Sequence, residues 1–218
     1  LDQNSGIQNI WLILVIWSFI YVLDYALTIV FARQHKAHLH TYVRFEGSLE
    51  LTPQFQKDVD VLRRVSPQFV MRWLISVVGL YAIWWLSVVS LKQPQFFYFL
   101  IGMLVLREVT VHLRHIRNLA LYPIAKAGGL KGQIEYSRWS ALKLSAVELL
   151  SFGGMYLILA IFLRSWFMAG GAFGCCVVGV QHWRMYKKAL ALSQTSQESL
   201  ATPDTQAKES DNADQLDR

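Results

Sequence analysis

The chain has 218 residues, of which 54% are hydrophobic and only 17% charged, against about 25% charge in an ordinary soluble domain. Its apolar residues come in runs of roughly 20, the length that crosses about 30 Å of hydrocarbon. One large soluble core is therefore excluded, and an all-α integral membrane protein is expected. The formal net charge of +6 is unevenly placed: the segment from Ser193 onward holds six acids and two bases, so the remainder carries +10. Those basic residues flank apolar runs, where lipid topology puts them, and no nucleic-acid-reading motif accompanies them. The bilayer is the expected partner, and nucleic acid is not.

The first apolar run, 10–32, is interrupted only by Asp24. It is too long, and too lightly charged before its start, for a secretory signal, so it is expected to be retained as a spanning helix. In the loop that follows, Thr52-Pro53 has the form of a helix start, and Phe55, Val59 and Leu62 make one apolar stripe opposite Lys57, Asp58 and Arg63. This predicts an amphipathic helix near 53–65, lying on the membrane surface or against the bundle. Ser66-Pro67 repeats the cap-and-proline signal before a second spanning helix at 67–91. A third, at 95–122, is purely apolar only to Leu106 and then continues through Arg107, Glu108, His112, Arg114 and His115. The fourth, 141–163, contains Glu148, and the fifth, 166–188, contains His182. Merging these last two would give a helix of about 60 Å, twice the bilayer core, so a tight turn at Arg164-Ser165 is expected instead. The bundle should thus occupy 1–192, and the polar, acidic segment 193–218 has the composition of a disordered tail.

Positive charge sets the expected orientation. Residues 33–72 hold seven Lys or Arg, residues 114–143 six and residues 184–188 three, whereas the other side offers Lys92 and Arg164. The two long loops and the C-terminus should be cytoplasmic, giving about five spanning helices with the N-terminus outside. A multi-pass protein of a bacterial or archaeal cytoplasmic membrane is the expected setting.

Chemistry-bearing residues are few. Cys175 and Cys176 are adjacent within an apolar run, so neither a disulfide framework nor a CxxC metal knuckle is available. Gly170-x3-Gly174, with Gly171 and Cys175 as a second small pair, allows close helix approach, within the bundle or between two copies. His35, His38 and His40 lie in a polar loop and read as a solvated surface cluster. Glu108, His112 and His115, at i, i+4 and i+7, share one helical face, the geometry by which helices present metal ligands inward. The alternative for that face is an interfacial turn reaching water and phosphate. No nucleophile elbow, P-loop, dinucleotide fingerprint or HExxH motif occurs, which argues against the familiar enzyme classes.

Asp24-x3-Thr28 in the first helix, followed by Glu46-Gly-Ser-Leu-Glu50-Leu-Thr-Pro53, resembles a pattern in uncharacterised small polytopic membrane proteins of bacteria and archaea. There an Asp-x3-Ser/Thr helix precedes a Glu-x2-Pro element, more often with Asn where Thr52 stands here. The resemblance covers about the first quarter of the chain and implies a polytopic fold without an activity.

At about 1.5 Å rise per residue, Asp24, Arg107, Glu108, Glu148 and His182 all fall in the inner leaflet. Such costly side chains normally face the bundle and pair. Arg107 is expected to pair with Asp24 or Glu148, beside a cytoplasm-open cavity lined by Glu108, His112 and His182. Three functions fit this pattern: a small transport or ion-handling protein, working as an oligomer; an accessory subunit of a larger membrane complex; or a membrane metalloenzyme using Glu108, His112 and His115.

Overall fold

In a computed structural model of the chain, residues 9–46 and 54–201 are described, with side chains to residue 195. Six α-helices and two short strands follow in the order α1 (Ile10–Ala37), β1 (Val43–Phe45), α2 (Gln56–Asp60), α3 (Pro67–Trp84), α4 (Pro94–Lys126), β2 (Ile134–Tyr136), α5 (Arg138–Leu163) and α6 (Trp166–Ala201). A π-helical turn, Trp85–Ser90, continues α3. Among the described residues four helices are long and apolar enough to cross a membrane: α1, α3 with its π-turn, α4 and α5. The fifth apolar run, at the start of α6, is diluted by glycines and by Gln181-His182-Trp183 and falls outside that group.

The helix starts follow local side-chain chemistry. The Asn9 side chain accepts from the Leu12 amide, Ser66 from Phe69 and Ser137 from Ser140, each satisfying an amide that the first turn leaves free. Pro94, like Pro67, sits in a first turn, where its missing N–H costs nothing. Arg164 ends α5 in the left-handed conformation at φ 49°, and α6 starts two residues later. The last two apolar runs are therefore separate helices joined by a tight turn. Helical structure also runs further at the polar ends than hydropathy suggests. α4 reaches Lys126, and α6 continues to Ala201, into the segment expected to be a disordered tail. Ala189-Leu190-Ala191-Leu192 are strong helix formers, which carries the helix past Ser193. The rest of that tail, 202–218, lies outside the described residues.

Across the bundle the helices neighbour one another in the order α5, α6, α4, α1, α3. A cluster of Ile10, Leu14, Trp17, Leu80, Phe97 and Ile101 joins α1, α3 and α4. A second, of Leu149, Tyr156, Ala172 and Cys175, joins α5 and α6. The α4–α6 contact is close enough that backbone meets backbone. A Cβ on Gly170 would strike the Phe99 carbonyl, one on Gly174 the Met103 carbonyl at 2.5 Å, and one on Gly171 the Leu106 side chain. Gly102 of α4 faces the Phe167 backbone in the same way. The small-residue face of α6 is thus occupied within the chain.

The apolar stripe in the first long loop folds as expected in one respect and not in another. Its helix is only Gln56–Asp60, shorter than 53–65, because Leu62 turns into the left-handed region at φ 54°; Pro53 lies outside the described residues. Val59, with Phe55 and Leu62, packs against Tyr25, Ile29 and Ala32 of α1 and Phe69 of α3. The stripe therefore faces the bundle. The two long loops also meet, which an all-helical reading does not anticipate: β1 pairs in parallel with β2, Val43 opposite Ile134, Arg44 opposite Glu135 and Phe45 opposite Tyr136. Beyond the pair, Glu46 accepts from the Arg138 amide at 3.1 Å, a carboxylate at the positive end of α5.

Candidate functional site

The inward face of α4 is set by the glycine contacts with α6 on one side and by α1 on the other. On the α1 side, Glu108, His112 and His115 follow one another down the helix and meet Asp24 and Thr28. Glu108 is 6% exposed and its carboxylate is bonded to the Arg107 guanidinium. One turn further, His112 Nδ1 lies 2.6 Å from the Glu108 carbonyl oxygen. Because a carbonyl only accepts, Nδ1 carries the proton and Nε2 is left as the second ring nitrogen. His115 Nε2 lies 3.3 Å from Asp24 Oδ1 and 3.3 Å from the Thr28 hydroxyl, which itself donates to the Asp24 carbonyl at 3.0 Å.

One donor atom each from Asp24, Glu108 and His112 lie within 4.8 Å of one another. This differs from the set expected from helical spacing. Glu108 and His112 are retained, but Asp24 joins them where His115 was expected, and His115 sits beside Asp24. The reason is the neighbouring helix: α1 brings its carboxylate between successive turns of α4, which spacing along α4 alone does not reveal.

A second polar group lies toward α5 and α6. Arg114 Nε bonds Glu148 at 2.5 Å, and Arg117 lies 3.5 Å from the other Glu148 oxygen. Arg107 therefore pairs with its neighbour Glu108, not with Asp24 or Glu148 as expected. The observed partner of Glu148, Arg114, lies two turns further along α4 than Arg107. His182 is also separate from the Glu108 group, with its Nδ1 2.8 Å from the Ser145 hydroxyl of α5. Between the two groups, Thr110 donates to the Leu106 carbonyl at 3.0 Å and lies 3.4 Å from the Tyr156 hydroxyl and 3.7 Å from Cys175 Sγ.

Toward the N-terminal end of α1, polar side chains pair between α1 and α3 or bond back onto their own helix. Trp73 Nε1 donates to Ser18 at 3.0 Å, Trp17 Nε1 donates to Ser76 at 2.9 Å, and Ser87 donates to the Ile83 carbonyl at 2.6 Å. Around Asp24 and along α4 beyond Glu108 the balance is reversed. Asp24 Oδ1, His112 Nε2, His115 Nδ1 and Arg114 Nη2 are buried without a hydrogen-bond partner among the described residues, the Asp24–His115 approach being close but not aligned as a hydrogen bond. Buried polar atoms are normally paired, because leaving one unpaired costs about 1–3 kcal/mol. Four of the five such atoms among the described residues, all but Gln34 Oε1, belong to Asp24, His112, Arg114 and His115.

No known family, curated protein or solved structure matches this chain. The likeness of its first helix and loop to small polytopic membrane proteins therefore stays a local pattern, and Gly47 to Pro53 of that pattern lie outside the described residues. Within it, Asp24 and Thr28 are the residues the fold brings to the polar layer. Arg114 and Ser145 were not singled out beforehand. Arg114 follows Arg107 by seven residues and so lies near the same face, a signal the sequence does contain. Ser145 carries none.

Proposed function

We propose that the protein is a multi-pass cell-membrane protein of five spanning helices, N-terminus outside, whose α1–α4 polar layer takes up a cation, a proton or a small metal ion, from the cytoplasmic side. The observation that carries this reading is the group of buried, unpartnered polar atoms around two carboxylates. Counting α6 as the fifth span rests on packing: its glycine-rich half lies between α4 and α5, both long and apolar enough to cross. A helix wedged between two spanning helices crosses with them. The engaged outer-half serines favour a site open to the cytoplasm over a pore through the bundle, and a chain of this size without an internal repeat is expected to work as an oligomer.

Topology and access can be read together with a membrane-impermeant thiol reagent. Asn4→Cys is expected to label in intact cells, and Ser196→Cys only in inverted vesicles. Thr28→Cys is expected to react, more slowly, from the same side as Ser196→Cys. Labelling of positions 4 and 196 from one side would remove the five-span topology, and labelling of Thr28→Cys from outside would remove the cytoplasmic opening. The function itself is tested by cation movement into proteoliposomes, which Glu108→Gln is expected to abolish without unfolding the bundle.

A further inference from the structure

The donor atoms facing each other between α1 and α4 define more than a charged layer. We infer that Asp24, Glu108 and His112 form an exchangeable site for a divalent first-row transition metal ion, with His115 holding Asp24 in position. This deepens the cation reading above and names the class of ion.

Distance is the first argument. Two donors bonded to one metal at about 2.0–2.2 Å each stand no more than about 4.4 Å apart. The three donor atoms already lie within 4.8 Å of one another, so closing on an ion takes movements of a few tenths of an ångström. The state of His112 is the second. With Nδ1 donating to the Glu108 carbonyl, Nε2 is the ring nitrogen left to bind an ion, and that atom is buried without a partner among the described residues. A ligating histidine typically donates its other ring N–H to a carbonyl or carboxylate, which fixes the tautomer. The third is charge: two carboxylates face the single guanidinium of Arg107, which bonds one Glu108 oxygen. The surplus of negative charge is offset by a bound cation.

The donor types narrow the ion. Calcium takes six to eight oxygen ligands, and magnesium near-ideal octahedral oxygen geometry. An imidazole with two carboxylates suits zinc, manganese, iron or cobalt in the divalent state, and no thiolate is among the donors to select copper(I). Three protein ligands leave a coordination position for water, as in sites whose metal or bound group exchanges. His115 adds no fourth ligand here. Its Nε2 faces Asp24 and Thr28, so it orients the carboxylate.

The test uses the full chain, purified in detergent through a tag without histidine, stripped with chelator and titrated with Co²⁺ while visible absorption is followed. The expected result is saturable binding of one ion per chain, displaced by Zn²⁺, with affinity lowered about tenfold or more in His112→Ala and in Asp24→Asn. His40→Ala, an exposed loop histidine, should bind as the parent does. If His112→Ala fails to give a folded species by gel filtration, His112→Gln takes its place. Absence of saturable Co²⁺ binding by the parent, or unchanged affinity in the folded His112 variant, overturns the site. Proton flux lost in Glu108→Gln alongside a parent that binds no Co²⁺ also overturns the metal site while upholding the cation reading. Co²⁺ bound at these residues in a protein whose proteoliposomes move no cation upholds the site and removes transport.

Discussion

Gly170→Val is expected to be the most damaging single substitution in the bundle. A Cβ at position 170 would overlap the carbonyl of Phe99 and crowd the Met103 amide, all backbone atoms of α4 that cannot rotate away. The two helices would have to separate along the contact that also includes Gly102, Gly171 and Gly174. Overpacking a well-filled interface typically costs about 1–3 kcal/mol and occasionally more, and a backbone-to-backbone clash belongs at the upper end, about 3 kcal/mol. Gly154→Ala is the matched control, since nothing lies within 4 Å of a Cβ built there. It should be neutral or slightly stabilising, because alanine is the better helix former. Reversible unfolding in mixed micelles measures both. Equal stability of the two variants would mean that α4 and α6 do not approach as closely as described.

The second large effect is expected at Glu148. Arg114 and Arg117 both turn to this carboxylate, and the side chains of Arg114 and Glu148 are only 17% and 21% exposed. Removing one member of a buried pair strands the other charge, at a cost of about 3–5 kcal/mol when burial is complete. Glu148→Leu should therefore cost about 3 kcal/mol, the lower end of that range, because some solvent reaches the pair. The compensating double variant Arg114→Met/Glu148→Leu should recover most of the loss, since neither charge then remains. A double-mutant cycle on the same unfolding assay decides this. A double variant no more stable than Glu148→Leu would show that the lost stability comes from packing and not from the stranded arginine.

Much of the bundle was legible in the sequence, and the residues show why the rest was not. Caps at Ser66, prolines at 67 and 94 and the break at Arg164 are local chemistry, so the helix starts and the α5–α6 turn could be read residue by residue. That Asp24 and Glu108 fall near one level along their helices could be read from the rise per residue. Pairing needs rotation and axial offset as well, and these are set by contacts such as Gly170 on Phe99 that no single helix contains. Hence Arg107 bonds Glu108, Arg114 takes Glu148, and Asp24 enters the donor group ahead of His115. The β1–β2 pair was hidden for a related reason: its three-residue strands lie far apart in the chain and are too short to show alternation. The α2 stripe was visible, but the left-handed turn at Leu62 that shortens its helix was not.

The central claim is that the layer between α1 and α4 takes up a cation, and flux measures it most directly. Purified protein in proteoliposomes, with a pH-sensitive dye for protons and a metal-quenched dye for Co²⁺, should show uptake above that of empty liposomes. Glu108→Gln, folded by the unfolding assay above, should reduce that uptake to the empty-liposome level. A parent protein indistinguishable from empty liposomes for both cations, or a Glu108→Gln protein that moves them as fast as the parent, would contradict the account.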